Sequence, residues 1–196
     1  TEMGGGVRAA LAGSAALLPV LEQPDRTASY PASDLGRALS AVARTIRADR
    51  GVSVITVDQG AWDMHTDLGT AVNGQMQYKT KNLADSIAAF FTDLGPLAER
   101  VTLVTISEFG RRIAENANRG LDHGWGNVML LAGAGVRGGR YHGRWPLLSN
   151  ALDADLAVTT DYRSVLAEVV TSRTEASVAR VFPGFRPETV GVMTSG

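Results

Sequence analysis

The chain has 196 residues, 44% of them hydrophobic and 20% charged. That balance fits a folded globular class with one full-sized core or a large part of a bigger one. A formal net charge of -1 gives no electrostatic reason to expect nucleic acid or an anionic membrane as partner. With no cysteine there is no disulfide and no thiolate ligand, and no apolar run reaches the roughly 18 residues that a spanning helix needs.

From the N-terminal side, Val7 to Gln23 carries Leu11, Leu17, Leu18 and Leu21 among alanines and predicts a helix that Gly13 weakens. Its run Ala9 to Leu18 lacks the charged leader of a signal peptide, and a start at Thr1 implies trimming. Pro24 to Pro31 reads as a polar linker. Ser33 is placed to cap a helix that repeats Leu35, Leu39, Val42 and Ile46 on one face. Arg44, Arg47 and Arg50 crowd its far end, and Gly51 stops it.

Val52 to Val57 is a β-branched run and predicts a buried strand. Asp58 to Gln77 is long and irregular and holds Trp62, Asp63, His65 and Asp67; such loops in compact domains are functional or disordered. Asn82 begins a helix with Leu83, Ile87, Phe90, Phe91 and Leu94 in register, ended by Gly95 and Pro96. A second apolar strand, Val101 to Ile106, runs directly into Ser107, Glu108, Phe109, Gly110, Arg111 and Arg112.

This order implies a right-handed crossover that joins two parallel strands, Val52 to Val57 and Val101 to Ile106. Asp63 and Glu108 then follow strands that end at one sheet edge, where open α/β sheets place their chemistry. A third strand, Val128 to Ala132, comes after Asp122 and His123, so they share that edge only if it runs antiparallel. The expectation is a three-layer α/β fold, a mixed sheet flanked by helices, in one domain over residues 1–196. Gly133 to Trp145 reads as a Gly-rich turn with a short strand, Asp161 to Val170 as a helix, and the tail from Phe182 as an irregular surface segment.

Only three histidines are present: His65, His123 and His142. His65 and His123 each stand beside an aspartate, in Asp63-Met64-His65 and Asp122-His123. Imidazole with carboxylate is a ligand set suited to Zn²⁺, Mn²⁺ or a similar ion. The same pattern also describes a surface loop whose carboxylate holds the ring by a hydrogen bond. Glu108 reads as ligand, general base or arginine partner. Arg111 reads either as a guanidinium for phosphate or sulfate oxygens or as an exposed helical arginine. Ser107 lacks a G-x-S-x-G elbow and reads as a strand-end hydrogen-bonding group. His142 reads as structural. Trp62 and Trp125 either wall the site or anchor loops.

The blocks TVDQGAWDMHTD, VTLVTISEFGRR and ENANRGLDHGWGNVMLLAGAGVRGGRYHGRWP resemble three signatures of the bacterial domain-of-unknown-function family fifteen-oh-one. The run TDYRSVLAEV with VFPGF resembles that family's C-terminus, so the likeness covers Leu35 to Phe185. The family pattern Gly-Gly-Trp-Asp-Thr-His stands here as Gly60-Ala61-Trp62-Asp63-Met64-His65. The family is grouped with the alkaline-phosphatase and sulfatase-like superfamily, which implies an α/β hydrolase with a divalent metal site. By that resemblance Asp63 and His65 match one ligand block and His123 the last metal histidine. Phe109 replaces a superfamily histidine after Glu108. No segment before Val52 reads as the superfamily's strand with an early aspartate and nucleophile, so the chain looks like the C-terminal half of a longer member.

Two functions follow as expectations. One is a metal-dependent hydrolase portion for a small phosphate or sulfate ester, with Asp63, His65, Glu108, Asp122 and His123 as candidate ligands to Zn, Mn, Mg or Ca. Arg111 and Glu108 would then act on substrate, and a missing N-terminal segment of the same protein would supply the nucleophile. The other is a catalytically silent binding or scaffold protein on the same fold. The resemblance favours an exported or periplasmic setting and leaves the cytoplasm open.

Overall fold

A computed structural model describes residues 13–14, 18–151 and 153–194. Most of the helix expected over Val7 to Gln23 lies outside them. The chain divides into two compact units. The first comprises the described residues up to Asp63 together with Thr70–Ala98, and the second comprises Met64–Gly69 with the chain from Glu99 onward. The architecture is mixed, with helices and small sheets, as the α/β expectation requires in general terms.

The first unit is a helix pair. α1 spans Asp34–Arg47, and Ser33 caps it by accepting a hydrogen bond from the Gly36 N–H. Its apolar face buries Leu35, Leu39 and Ala43. α2 spans Gln75–Leu94, buries Phe90 and Leu94, and packs on α1. It begins well before the expected Asn82, because Gln75 to Lys81 is mostly Gln, Met and Lys, good helix formers, with Tyr78 and Thr80 among them, and follows Gly74 at φ 116°. Between the helices Asp93 accepts from the Tyr30 hydroxyl at 2.8 Å, from Arg47 at 2.9 Å and from Arg26 at 3.0 Å. Its side chain is only 3% exposed.

Val52 to Val57 corrects the sequence reading. The run is not a buried strand: Val52, Val54 and Ile55 are exposed, and it pairs with no strand among the described residues. The expected parallel pair is therefore not formed. β-branched residues favour a pleated, half-buried surface rather than an extended backbone as such, and nothing described supplies that surface here.

In the second unit the described strands form two antiparallel ribbons in place of one mixed sheet. β1 (Thr102–Val104) pairs with β4 (Leu131–Gly133), Leu103 opposite Ala132, so the antiparallel return strand is as expected. β2 (Gly110–Arg111) pairs with β3 (His123–Gly124). The segment after Glu108 is thus a short strand and not a helix start. α3 spans Tyr162–Arg173, capped by the Asp161 carboxylate, which accepts from the Arg163 N–H. A four-residue helix, α4 (Val178–Val181), follows.

The C-terminal tail is a second correction. From Phe182 to Thr189 it is irregular and mostly exposed, as expected, but its end is not: Val192 and Met193 are buried with Val165, against Met129, Leu131, Val136, Val169 and Val190. Met193 bridges Val136, and Arg137 N–H donates to the Val192 carbonyl. The Glu168 carboxylate completes the anchor by accepting from the N–H groups of Val190, Gly191, Val192 and Met193. Burial raises the pKa of Glu168, but those four donors outweigh it and hold the carboxyl below its ordinary range. In the Gly133 to Trp145 segment, Gly133 ends β4 and the rest holds turns and that single bridge in place of the expected short strand.

Candidate metal centre

His65 lies in the short segment Met64–Gly69 of the second unit, and His123 in β3 of the same unit. Met64 is 2% exposed and acts as the apolar anchor of its segment. In an extended chain neighbouring side chains point to opposite faces, so burying Met64 turns Asp63 and His65 outward. Three backbone bonds fasten the segment: Leu121 N–H to Met64 O, Asp67 N–H to Asn118 O, and Leu68 N–H to Arg119 O. Gly120 passes so close that a Cβ there would stand 2.1 Å from the His65 carbonyl carbon. Only glycine permits that approach.

His123 is fixed from the other side. The Phe109 ring stacks on it with centroids 3.9 Å apart and 12° between planes. The Phe109 carbonyl accepts from Ser107 Oγ at 2.7 Å and from Asn127 Nδ2 at 3.2 Å, which holds that ring in place. Ser107 is therefore a strand-end hydrogen-bonding group, as its surroundings suggested. Gly110 must be glycine, since a Cβ would meet the Gly126 carbonyl oxygen at 2.1 Å.

The two imidazoles face one another with centroids 4.8 Å apart. Asp63, which immediately precedes the His65 segment, completes a group whose ligand atoms all lie within 4.8 Å of one another. Around a Zn²⁺ ion with bonds of about 2.1 Å, tetrahedral ligand atoms stand about 3.4 Å apart, so the widest pair needs to close by roughly 1.4 Å. Two imidazoles and a carboxylate are a suitable donor set, and Asp63 and His123 are exposed while His65 is half-buried. Three protein ligands with solvent access are the pattern of sites that keep a fourth position open.

Asp122 stands one step away. Its Oδ1 lies 2.8 Å from His65 Nδ1 and accepts from Asn116 Nδ2 at 2.9 Å. Those two hydrogen bonds, His65 first, hold the Asp122 carboxyl below its ordinary pKa range. Glu108 is exposed and lies outside the three-residue group. Arg111 sits opposite His123 in the β2–β3 register, donates to the Leu121 carbonyl and lies 4.8 Å from the Phe109 ring centroid. His142 bonds the Arg137 carbonyl at 3.0 Å. Trp62 is half-buried and Trp125 stands in solvent.

Sequence reasoning did not single out Asn116, Gly120 or the Phe109 stacking. Asn116 gave a signal in the run Asn116-Ala117-Asn118-Arg119-Gly120, where Asn and Gly together mark a tight turn. The stack of Phe109 on His123 is a contact across two strands and has no local signature.

Just before the candidate ligands, Ala61 has φ 63°, in the left-handed region that favours glycine. No curated protein and no solved structure matches the chain. A family model described as "Protein of unknown function (DUF1501)" matches residues 12–177, and the chain belongs to that family.

Proposed function

We propose that the chain is the metal-binding portion of a hydrolase for phosphate or sulfate esters, on an alkaline-phosphatase-like fold. The observation that carries this reading is the convergence of Asp63, His65 and His123 from separate parts of the chain onto one small volume. A divalent ion held there would act as a Lewis acid toward an ester oxygen. The residues of the chain hold and orient: Met64 anchors the Asp63–His65 step, and Phe109 fixes the His123 ring. Arg111 is the proposed group for non-bridging oxygens and Glu108 a base or further ligand, both on the strength of the resemblance. The resemblance also supports a longer protein whose upstream segment carries the nucleophile, and an exported setting. Among the described residues no helix is long and apolar enough to cross a membrane.

Purified chain, stripped with chelator and titrated with Zn²⁺ and Mn²⁺ by calorimetry, tests the reading. One ion per chain is expected, with binding lost in His65→Ala and His123→Ala. Assays on aryl phosphate and aryl sulfate, with and without the upstream segment, then separate a hydrolase from a silent binding protein. Absence of uptake of either metal would overturn the reading.

A further inference from the structure

We propose that Asp122 and Asn116 are positioning residues that set which nitrogen of His65 meets a cation. This rests on the metal reading of Asp63, His65 and His123. An ionised carboxylate only accepts hydrogen bonds, so the 2.8 Å contact between Asp122 Oδ1 and His65 requires the ring proton on Nδ1. A neutral imidazole carries one such proton, so Nε2 keeps its lone pair and is the nitrogen that would bind a metal. A carboxylate behind the imidazole also makes that lone pair more basic.

Asn116 holds the carboxylate that makes this contact. Its Oδ1 accepts from the N–H groups of Asn118 at 2.9 Å and Gly120 at 3.1 Å, which fixes the amide orientation. Its Nδ2 therefore faces two oxygens, Asp122 Oδ1 at 2.9 Å and the His65 carbonyl at 3.0 Å. One amide thus holds both the backbone of His65 and the carboxylate that bonds its ring. Asp122 and His65 are 51% and 42% exposed in their side chains. Water competes for a hydrogen bond that open, so the contact adds little to the stability of the fold. Its effect falls on the orientation and tautomer of the ring.

Zinc affinity of the native chain is compared with that of Asp122→Ala, Asp122→Asn and Asn116→Ala, by competition with a chelator. The metal-free proteins are examined by nitrogen-15 NMR of the imidazoles at about pH 8.5, above the ordinary histidine range. Native His65 is expected with its proton on Nδ1. Asp122→Ala is expected to shift His65 toward the Nε2–H form and to weaken zinc binding about 10- to 100-fold, with an unchanged melting temperature before metal is added. Asp122→Asn keeps an accepting oxygen and is expected to retain the Nδ1–H form and part of the affinity. Asn116→Ala is expected to act in the same direction as Asp122→Ala. Native zinc binding that Asp122→Ala and Asn116→Ala leave unchanged, or a native His65 protonated on Nε2, overturns the positioning role alone. A native chain that takes up no zinc overturns the metal reading and this role together.

Discussion

Two aspartates, one in each unit, gather hydrogen-bond donors in opposite settings. Asp93 accepts from Tyr30, Arg47 and Arg26 with its side chain 3% exposed. Asp122 accepts from His65 and Asn116 with its side chain 51% exposed. In the first, water is excluded, and removing the carboxylate would strand Arg47, itself only 11% exposed. In the second, water replaces any lost partner. The same carboxylate chemistry therefore holds a fold in one place, and in the other leaves the fold indifferent and orients a ring. Burial separates a structural polar cluster from a candidate site, more than the identity of the residues does.

That contrast can be broken at several points. Asp93→Ala is expected to have the largest effect, about 3–5 kcal/mol of stability by urea unfolding, because it leaves a buried guanidinium unpaired. A loss below about 1 kcal/mol would mean that the hub is not structural. Glu168→Ala comes next, at about 2–3 kcal/mol, since a charged acceptor for four backbone donors is lost. Hydrogen exchange at Val190 to Met193 should accelerate in that variant while α1 stays protected.

Acid acts on the same two anchors. At Asp93, burial raises the pKa but Tyr30, Arg47 and Arg26 more than offset it, so the folded value lies below the usual carboxylate value of 3.8. Glu168 likewise lies below its ordinary 4.5. Both folded pKa values are depressed, so both contributions are fully present above those ordinary values and are lost as pH falls through the folded ones. Stability should be flat above about pH 5 from these groups and decline below it. Asp93→Asn combined with Glu168→Gln should remove most of that decline.

Smaller effects probe the candidate site. Gly120→Ala is expected to cost about 1–3 kcal/mol, because the added methyl must displace the His65 segment. It should weaken metal binding along with stability, whereas Asp122→Ala should weaken binding and leave the melting temperature in place. Ala61→Gly should have the smallest effect, a gain of about 0.5–1 kcal/mol from relief of a left-handed backbone.

The elements read well from sequence were those whose signal is local. Ser33 with the Leu35, Leu39 period gave α1, and Asp161 with Tyr162 and Val165 gave α3. The approach of Asp63, His65 and His123 was legible as two ligand types in two short patterns, and the structure brings these three residues together. Glu108 and Asp122 carried the same residue chemistry, yet one lies outside the group and the other rests on His65 Nδ1. Sequence does not distinguish a ligand from the residue that orients it. Val52 to Val57 failed for a related reason: a strand needs a partner that composition does not supply. Burial of the tail's last residues was not legible because Glu168 and the amides it captures are far apart in order.

The central claim is that Asp63, His65 and His123 hold one divalent ion. X-ray absorption at the zinc edge of the zinc-loaded chain tests it most directly. The account predicts stoichiometric zinc with a shell of nitrogen and oxygen donors at about 2.0–2.1 Å and the outer scattering of two imidazoles, reduced to one in His123→Ala. Zinc without imidazole scattering, or a shell unchanged in His123→Ala, would contradict it.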